Sequence, residues 1–339
     1  MYDSAHIPLA YSHIYRTLRW IFALALLLGH SGLAIAAQPE VVTVGLYLAY
    51  VPELDLKSNS YVADFYLWFI WRGSFDPTQT FEFTNVIAPV ELSKVPAYTD
   101  AAGNAKPEIM PDGGFYQVYH IQGRFWHPFP TINFPFDEQD VVLSIEDSKH
   151  TVGEIVYQID RQGTTLSPAL AIPGWKLGKV VPVTTVKRFP TNFGYSTGSD
   201  MDRYSHVDFT VHVIRPRVGM FFKVVLPISL IMLITFGALF CKPDDIDARL
   251  CLTITALISA VALQYTTTTE LPPAGYLLLI DKIFLLSFAT ILFTTFVSIF
   301  SNRLAGEGDH SGAHRLDRWG LIVLPIGFFG GALLFTFTS

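Results

Sequence analysis

One apolar stretch of the chain, residues 247–269, carries polar side chains at a spacing that could line a passage for ions. Its members are three or four residues apart, and such steps return to one face of a 3.6-residue helix. They are Asp247, Cys251, Thr255, Ile258, Ala262, Tyr265 and Thr269. A carboxylate and hydroxyls cost free energy against lipid but suit a water-filled passage. The alternative is a bundled helix whose threonines donate to its own carbonyls, and the stretch alone leaves both open.

The composition places this stretch in a membrane protein. Half of the 339 residues are hydrophobic and 15% are charged. Four segments approach the about 20 residues that a spanning helix needs; they are 218–240, with a kink expected at Pro227, 247–269, 275–300 and 319–337. The arginine-rich link between the third and fourth favours the cytoplasmic side. A net charge of -6 without a basic cluster gives no indication of a nucleic-acid partner.

The N-terminal 36 residues have the pattern of a secretory signal peptide. Arg16 and Arg19 precede an apolar run at 21–28, and residues 34–36 are small enough for cleavage. An uncleaved anchor is the alternative. Export would place the residues after position 36 outside the cytoplasm. The chain has only two cysteines, both in or beside the apolar segments, so the exported part must hold together without a disulfide.

Residues 41–214 alternate between apolar and polar side chains in short runs that turn residues interrupt. This pattern predicts an all-β, antiparallel, immunoglobulin-like sandwich, with one domain over 37–215 and a four-helix membrane domain over 216–339. The sequence holds no nucleophile elbow, HExxH or phosphate loop. An enzyme, and with it a cofactor, is therefore not expected. The inverted repeats of many transporters are not evident either.

Several strings resemble the pentameric ligand-gated ion channels. Residues 134–139 read FPFDEQ, similar to the FPFDxQ signature of the loop between sandwich and membrane. His127 and Val141 stand where two cysteines bracket that loop in animal members, as in the disulfide-free bacterial branch. Residues 271–282 read LPPAGYLLLIDK, similar to the amine-gated bacterial member of Erwinia. Arg215 and Pro227 also match the family's positions.

The resemblance implies a homopentamer around a central pore, surrounded by lipid in the bacterial inner membrane, with the sandwich in the periplasm. Asp247 would form a ring at the cytoplasmic mouth that concentrates monovalent cations and excludes anions. Arg249, rotated by roughly 200° from it, would face away from the axis. Thr255 would supply a polar lining, and Ile258 and Tyr265 hydrophobic constrictions. An ordinary carboxylate beside a helix start is the alternative for Asp247.

The resemblance also implies an agonist site between neighbouring sandwiches. The matching residues are Tyr66, Glu82, Glu146, Phe189 and Tyr204. Carboxylates with aromatic walls suit a small cationic amine. Ser148 replaces an aromatic of the relative, and Phe193 and Tyr195 are candidates to compensate.

Protons are the alternative trigger, because histidine and clustered carboxylates titrate on acidification. The candidate histidines are His120, His127, His150 and His206. No metal site is expected, since Glu146, Asp147 and His150 are close only in sequence.

Six residues match the family's coupling region between sandwich and helices. They are Pro135, Phe136, Asp137, Arg215, Leu271 and Pro272. The sequence therefore predicts a ligand-gated, cation-selective channel opened by an amine. A proton-gated channel of the same family is the first alternative, and a membrane-anchored sensor or transporter the second.

Overall fold

The computed structural model of the chain describes residues 38–87, 92–191, 194, 203–269 and 271–338. The predicted signal peptide, and Phe193 and Tyr195, lie outside these residues. Both cysteines, Cys241 and Cys251, are free.

The part after Pro39 begins with a β-sandwich, as predicted. Its strands are β1 (Glu40–Asp55), β2 (Ser60–Trp71), β3 (Phe81–Phe83), β4 (Ser93–Pro96), β5 (Glu108–Ile109), β6 (Phe115–Trp126), β7 (Glu138–Asp147), β8 (Ile155–Ile159), β9 (Thr165–Leu166), β10 (Lys176–Arg188) and β11 (Arg203–Ile214). One sheet has the order β4-β6-β2-β1-β8, with β5 beside β6 and β9 beside β1, and the other has the order β10-β11-β7-β3. The pairing is antiparallel except that β8 and β9 run parallel to β1, a detail that the expectation of an antiparallel sandwich missed.

Strand alternation decides which side chains face the space between the sheets. Val207, Phe209 and Val211 of β11 are buried there, while the residues between them fall on the outer face of the second sheet. Each fully buried phenylalanine contributes about 1.5–3 kcal/mol. The same alternation holds Phe81 and Phe83 inside and leaves Glu82 on the outer face. The core therefore fixes which polar residues can meet a ligand.

Four helices follow, each long and apolar enough to cross a membrane. They are α1 (Arg217–Phe240), α2 (Ile246–Thr268), α3 (Leu279–Gly306) and α4 (His310–Thr338). β11 ends at Ile214, so the chain passes from sandwich to helix within two residues. In α1 the segment Phe221–Val225 is a π-helix that ends two residues before Pro227. Proline has no N–H to donate, so an irregularity of this kind is expected just before it.

Two predicted helix bounds were wrong. α3 begins at Leu279 rather than 275, because Pro272, Pro273 and Gly275 precede it and Asp281 accepts from the Leu278 N–H at 3.1 Å. α4 begins at His310 rather than 319, and only Glu307–Asp309 separate it from α3. Asp309 accepts from the Gly312 N–H at 2.8 Å and so caps α4. The polar residues before position 319 thus end the apolar segment but not the helix.

Candidate pore face, ligand site and coupling junction

The polar stripe of α2 lies on the face that does not pack within the subunit. All seven of its residues are exposed or half-buried, whereas Arg249, Thr253, Ala256 and Ala260 are buried on the opposite side. Ile258 is 64% exposed and Tyr265 is 74% exposed. Contiguous exposure of large apolar side chains marks a surface that meets something else. The stripe and the packing face are thus separated as a pore-lining helix requires.

Some threonine hydroxyls of α2 donate to carbonyls of the helix itself, and one on the stripe does not. Thr269 donates to the Tyr265 carbonyl at 2.6 Å, and Thr253 donates to the Leu250 carbonyl at 3.2 Å. The Thr255 hydroxyl makes no hydrogen bond with the described residues, and Thr255 is exposed. Thr253 and Thr269 are therefore bonded back to the helix, while the Thr255 hydroxyl in the stripe stays available to water or an ion.

Asp247 is not needed as the cap of α2. The N-cap is Asp245, whose carboxylate accepts from the Ala248 N–H at 3.3 Å. Asp247 lies in the first turn with its side chain exposed. Arg249 is 0% exposed and binds Asp317 of α4, so it faces away from the stripe as predicted.

Strand pairing assembles the acidic part of the ligand site. Glu82 of β3 is opposite Glu146 of β7, and Glu146 is opposite His206 of β11. All three lie in one row on the outer face of the second sheet. Phe189 and Tyr204 meet edge to face next to them, with ring centroids 5.8 Å apart.

The structure does not bring Tyr66 to this cluster. Tyr66 lies on β2 in the other sheet, where its ring stacks on His120 at 4.6 Å. Within one chain, four of the five matched residues meet. On the same strand Phe69 and Trp71 are core residues, and Trp68 donates to Asp160 at 3.2 Å.

Glu146 already has a partner that the sequence analysis did not assign to it. The carboxylate is 3% exposed, and its Oε2 lies 2.8 Å from His206 Nδ1. His206 Nε2 lies 3.0 Å from Asp208, which accepts from the Ser144 hydroxyl at 2.5 Å. Strand register sets this network, and the sequence showed only that a histidine and carboxylates were present.

A lysine of the chain occupies the space between the carboxylate and the aromatic rings. Lys187 Nζ lies 3.9 Å from Glu146 Oε2 and 5.1 Å from the centroid of the Phe189 ring. This is the pairing of ammonium with carboxylate and aromatic face that an amine ligand would make. The space between Glu146 and Phe189 (the cage) therefore holds the ammonium of Lys187.

Burial and neighbouring charges separate the pKa values in this row. Burial by itself lowers the pKa of His206, but the hydrogen bonds that it donates to Asp208 and Glu146 outweigh burial and raise the pKa to about 9. Burial, with repulsion from Glu146 and Asp147, raises the pKa of Glu82. At neutral pH His206 is therefore a cation between two carboxylates, and Glu82 takes up a proton more readily than an ordinary glutamate.

The His206 network predicts a loss of stability with rising pH. The folded protein retains the proton up to a pKa of about 9, whereas an unfolded histidine releases it near 6.5. The contribution is complete below 6.5 and is lost between 6.5 and about 9. It amounts to something on the order of 3 kcal/mol. We expect thermal unfolding of the detergent-solubilised protein to occur at lower temperature across this window. The slope should flatten in His206→Gln, and an equal slope in that variant would contradict the assignment.

The coupling residues meet where the sandwich touches the helices. Arg215 holds buried Asp137 through two bonds, Nε to Oδ1 at 2.6 Å and Nη2 to Oδ2 at 3.1 Å. Its guanidinium also lies over the ring of Trp175, 4.2 Å from the centroid. Gln139 donates to the same Asp137 at 2.7 Å. This bidentate pair fixes the loop of residues 130–137 to the last residues before α1.

The same loop contacts α3 directly. The Leu279 N–H donates to the Ile132 carbonyl at 2.8 Å, so the first turn of α3 is bonded to the sandwich. Pro135 and Phe136 line a cavity of about 560 Å³ that reaches between the helices. Leu271 is buried, and Pro272 lines a second cavity of about 580 Å³ beneath the sandwich. The structure thus brings the six residues that match the family's coupling region to one junction.

The candidates for a metal site are engaged otherwise. Asp147 accepts from the backbone N–H groups of Lys149 and His150 and lies 3.0 Å from His150 Nδ1. Ser148 donates its hydroxyl to the Thr80 carbonyl at 2.8 Å. Over the described residues, no group of three or more histidines, cysteines and carboxylates could hold a metal ion.

No protein-family model matches the chain. It is 22% identical over 317 residues to the proton-gated ion channel of Gloeobacter violaceus, a match over 89% of this chain and 84% of that protein. It is 23% identical over 304 residues to the acetylcholine receptor subunit beta-type unc-29 of Caenorhabditis elegans, over 84% of this chain. The chain spans 57% of that subunit's length. The sandwich followed by four apolar helices matches the fold of the pentameric ligand-gated channels, and the chain is a multi-pass membrane protein.

Proposed function

We propose that this chain is the subunit of a homopentameric, cation-selective channel of the pentameric ligand-gated family, opened by a small ligand at the sandwich. The observation that carries the proposal is the stripe of α2, which stays open along its whole length while the opposite face packs. A helix with one such face lines a passage only when several copies surround an axis. The likeness to a proton-gated channel and to an acetylcholine receptor subunit supports a pentamer.

The proposed orientation places the sandwich (37–215) in the periplasm and the helices (216–339) in the bacterial inner membrane. Asp247 then lies at the cytoplasmic mouth and selects monovalent cations. Thr255 lends a hydroxyl to the passing ion, and Ile258 and Tyr265 narrow the pore with apolar side chains that exclude water when they approach one another. Cys251, between Asp247 and Thr255, is an exposed thiol in the same stripe.

The proposed ligand is a small primary or substituted amine. The position of Lys187 Nζ, between Glu146 and the Phe189 ring, supports it, because the ammonium of a ligand would make the same two contacts. Glu82 on the neighbouring strand is exposed and adds a second carboxylate. Tyr204 completes the wall from this subunit, and Tyr66 would approach from the next one. An incoming amine must displace Lys187 and not His206, which is held from both sides.

A proton is the second candidate for the trigger, and one observation favours it. Burial and the nearby carboxylates raise the pKa of Glu82, so this group takes up a proton on acidification more readily than an ordinary glutamate. With a pKa of about 9, His206 is charged before any acid pulse and does not serve as the sensor. The name of the Gloeobacter relative agrees with this candidate.

Currents from the purified protein in planar bilayers test the function. One arm applies primary amines at neutral pH, and the other applies acid without amine. We expect cation currents in the first arm, and currents only in the second would make protons, and not an amine, the trigger. The absence of current in both arms would refute the channel and favour a membrane-anchored sensor or transporter.

Lys187→Met should make the channel respond to lower concentrations of amine. Removing the resident ammonium frees the cage, and the contacts it leaves are worth about 1–2 kcal/mol to the incoming amine. The concentration for half-maximal current should therefore fall about tenfold. Lys179→Met is the matched control, since Lys179 is exposed on the same strand away from the cage. An unchanged or weaker response in Lys187→Met would remove Lys187 from the site.

A further inference from the structure

The cytoplasmic end of the helix bundle contains a buried arginine with four hydrogen bonds. Arg249 of α2 donates from Nη1 and Nη2 to the two carboxylate oxygens of Asp317 in α4, at 2.9 and 2.6 Å. Nη2 also donates to the Cys241 carbonyl at 2.6 Å, and Nε donates to the Lys242 carbonyl at 3.2 Å. One guanidinium thus joins α2, α4 and the end of α1.

Burial of the Arg249–Asp317 pair contributes little to the stability of the fold. Desolvation of two charges cancels most of their attraction, and apolar side chains of similar size hold helices together as well or better. A planar guanidinium with fixed donors supplies direction instead. All of its acceptors here lie on one side of α2. What the pair fixes best is the rotation of α2 about its own axis.

The linker between α1 and α2 is held by the same cluster. Residues 241–245 connect Phe240 to Ile246, and Arg249 binds two of their carbonyls. Asn302 of α3 donates to a third, that of Pro243, at 2.9 Å. Asp245 ends the linker as the cap of α2. The linker that leads into the first turn of α2 is therefore hydrogen-bonded to the helix bundle.

We propose that Asp317 is a positioning residue for the Asp247 ring, acting through Arg249 to fix the direction in which Asp247 points. Arg249 is two residues after Asp247 and roughly 200° around the helix, so holding one toward α4 aims the other away from it. Asp317 itself is buried in α4 and is not part of the stripe. The inference rests on the proposed pore role of α2, and it extends ion selectivity to a side chain on another helix.

The test uses Cys251 as a reporter inside the pore. Cys241→Ser leaves Cys251 as the only thiol of the chain and keeps the carbonyl at 241 that Arg249 binds. In this background we compare Asp317→Asn with the double variant Arg249→Met/Asp317→Leu. The double variant removes both charges and is expected to fold even if the single variant does not. Glu307→Gln is the matched control, because Glu307 forms an exposed pair with Arg303 at the same end of the bundle.

Three measurements are made on each variant. They are the pentamer's elution and melting temperature, the reversal potential in asymmetric potassium chloride, and the rate at which a cationic methanethiosulfonate modifies Cys251. For the double variant we expect a folded pentamer whose cation-to-anion permeability ratio falls about tenfold, the low end of what a focused field does to local ion concentration. The modification rate should fall with it. Glu307→Gln should match the parent in all three.

The outcomes separate this inference from the proposed function. Wild-type selectivity and modification rate in a folded double variant would overturn the positioning role, provided that Asp247→Ala changes selectivity. An Asp247→Ala channel with unchanged selectivity would overturn both the role of Asp247 and the inference built on it. No current from the parent would overturn the function itself.

Discussion

Replacing Asp247 with alanine should remove most of the preference for cations. In asymmetric potassium chloride, we expect the reversal potential to move from near the potassium equilibrium value toward zero. The cation-to-anion permeability ratio should fall by about tenfold or more, since a ring of one charge in a narrow passage raises the local counter-ion concentration by this order. Single-channel conductance for cations should fall as well.

The structure gives the reason for so large an effect. Asp247 is exposed on the stripe, and the other stripe residues are uncharged. The nearby basic residue, Arg249, is neutralised by Asp317 and turned away. Asp244→Ala is the control, because Asp244 is exposed in the linker but lies off the stripe. A reversal potential that moves in Asp244→Ala and not in Asp247→Ala would place the selecting charge in the linker.

The membrane half was largely predictable because its signals are local. A predicted helix over 247–269 is found at Ile246–Thr268, and the seven stripe residues share one open face. Hydrophobic length and a 3.6-residue period are properties of neighbouring residues, so one sequence is enough to show them. The predicted start of α4 was wrong for the same reason. Where a helix continues through polar residues, its apolar signal is lost although its hydrogen bonds persist.

The site in the sandwich was predictable only as a set of residues. Glu146, Phe189 and Tyr204 were named, but His206, the partner of Glu146, is 60 residues from it in sequence. Pairing at that distance depends on strand register, which the pattern of neighbouring residues does not predict. The buried bond from Arg249 to Asp317, 68 residues apart, escaped for the same reason. Sequence alone predicts that an arginine turns away from a pore, but not which group receives it.

Replacing Asp137 with asparagine should damage both stability and gating. It leaves the Arg215 guanidinium half-buried without its carboxylate, and breaking such a pair costs about 3–5 kcal/mol. We expect the solubilised pentamer to melt at a clearly lower temperature. Glu53→Gln is the matched control, since Glu53 pairs with Arg124 on the exposed surface of the same sandwich. That change should cost less than about 1 kcal/mol.

Stability alone does not show that the pair transmits opening, so the decisive comparison is between two kinds of response. The loop that Asp137 anchors also bonds the first turn of α3 through Ile132 and Leu279. If this loop carries the signal, Asp137→Asn channels that still assemble will need more agonist, or more acid, and will reach a smaller maximal current. Their selectivity should stay unchanged, because Asp247 and its supports lie at the other end of the helices. A lower melting temperature with a normal maximal current would limit the pair to folding.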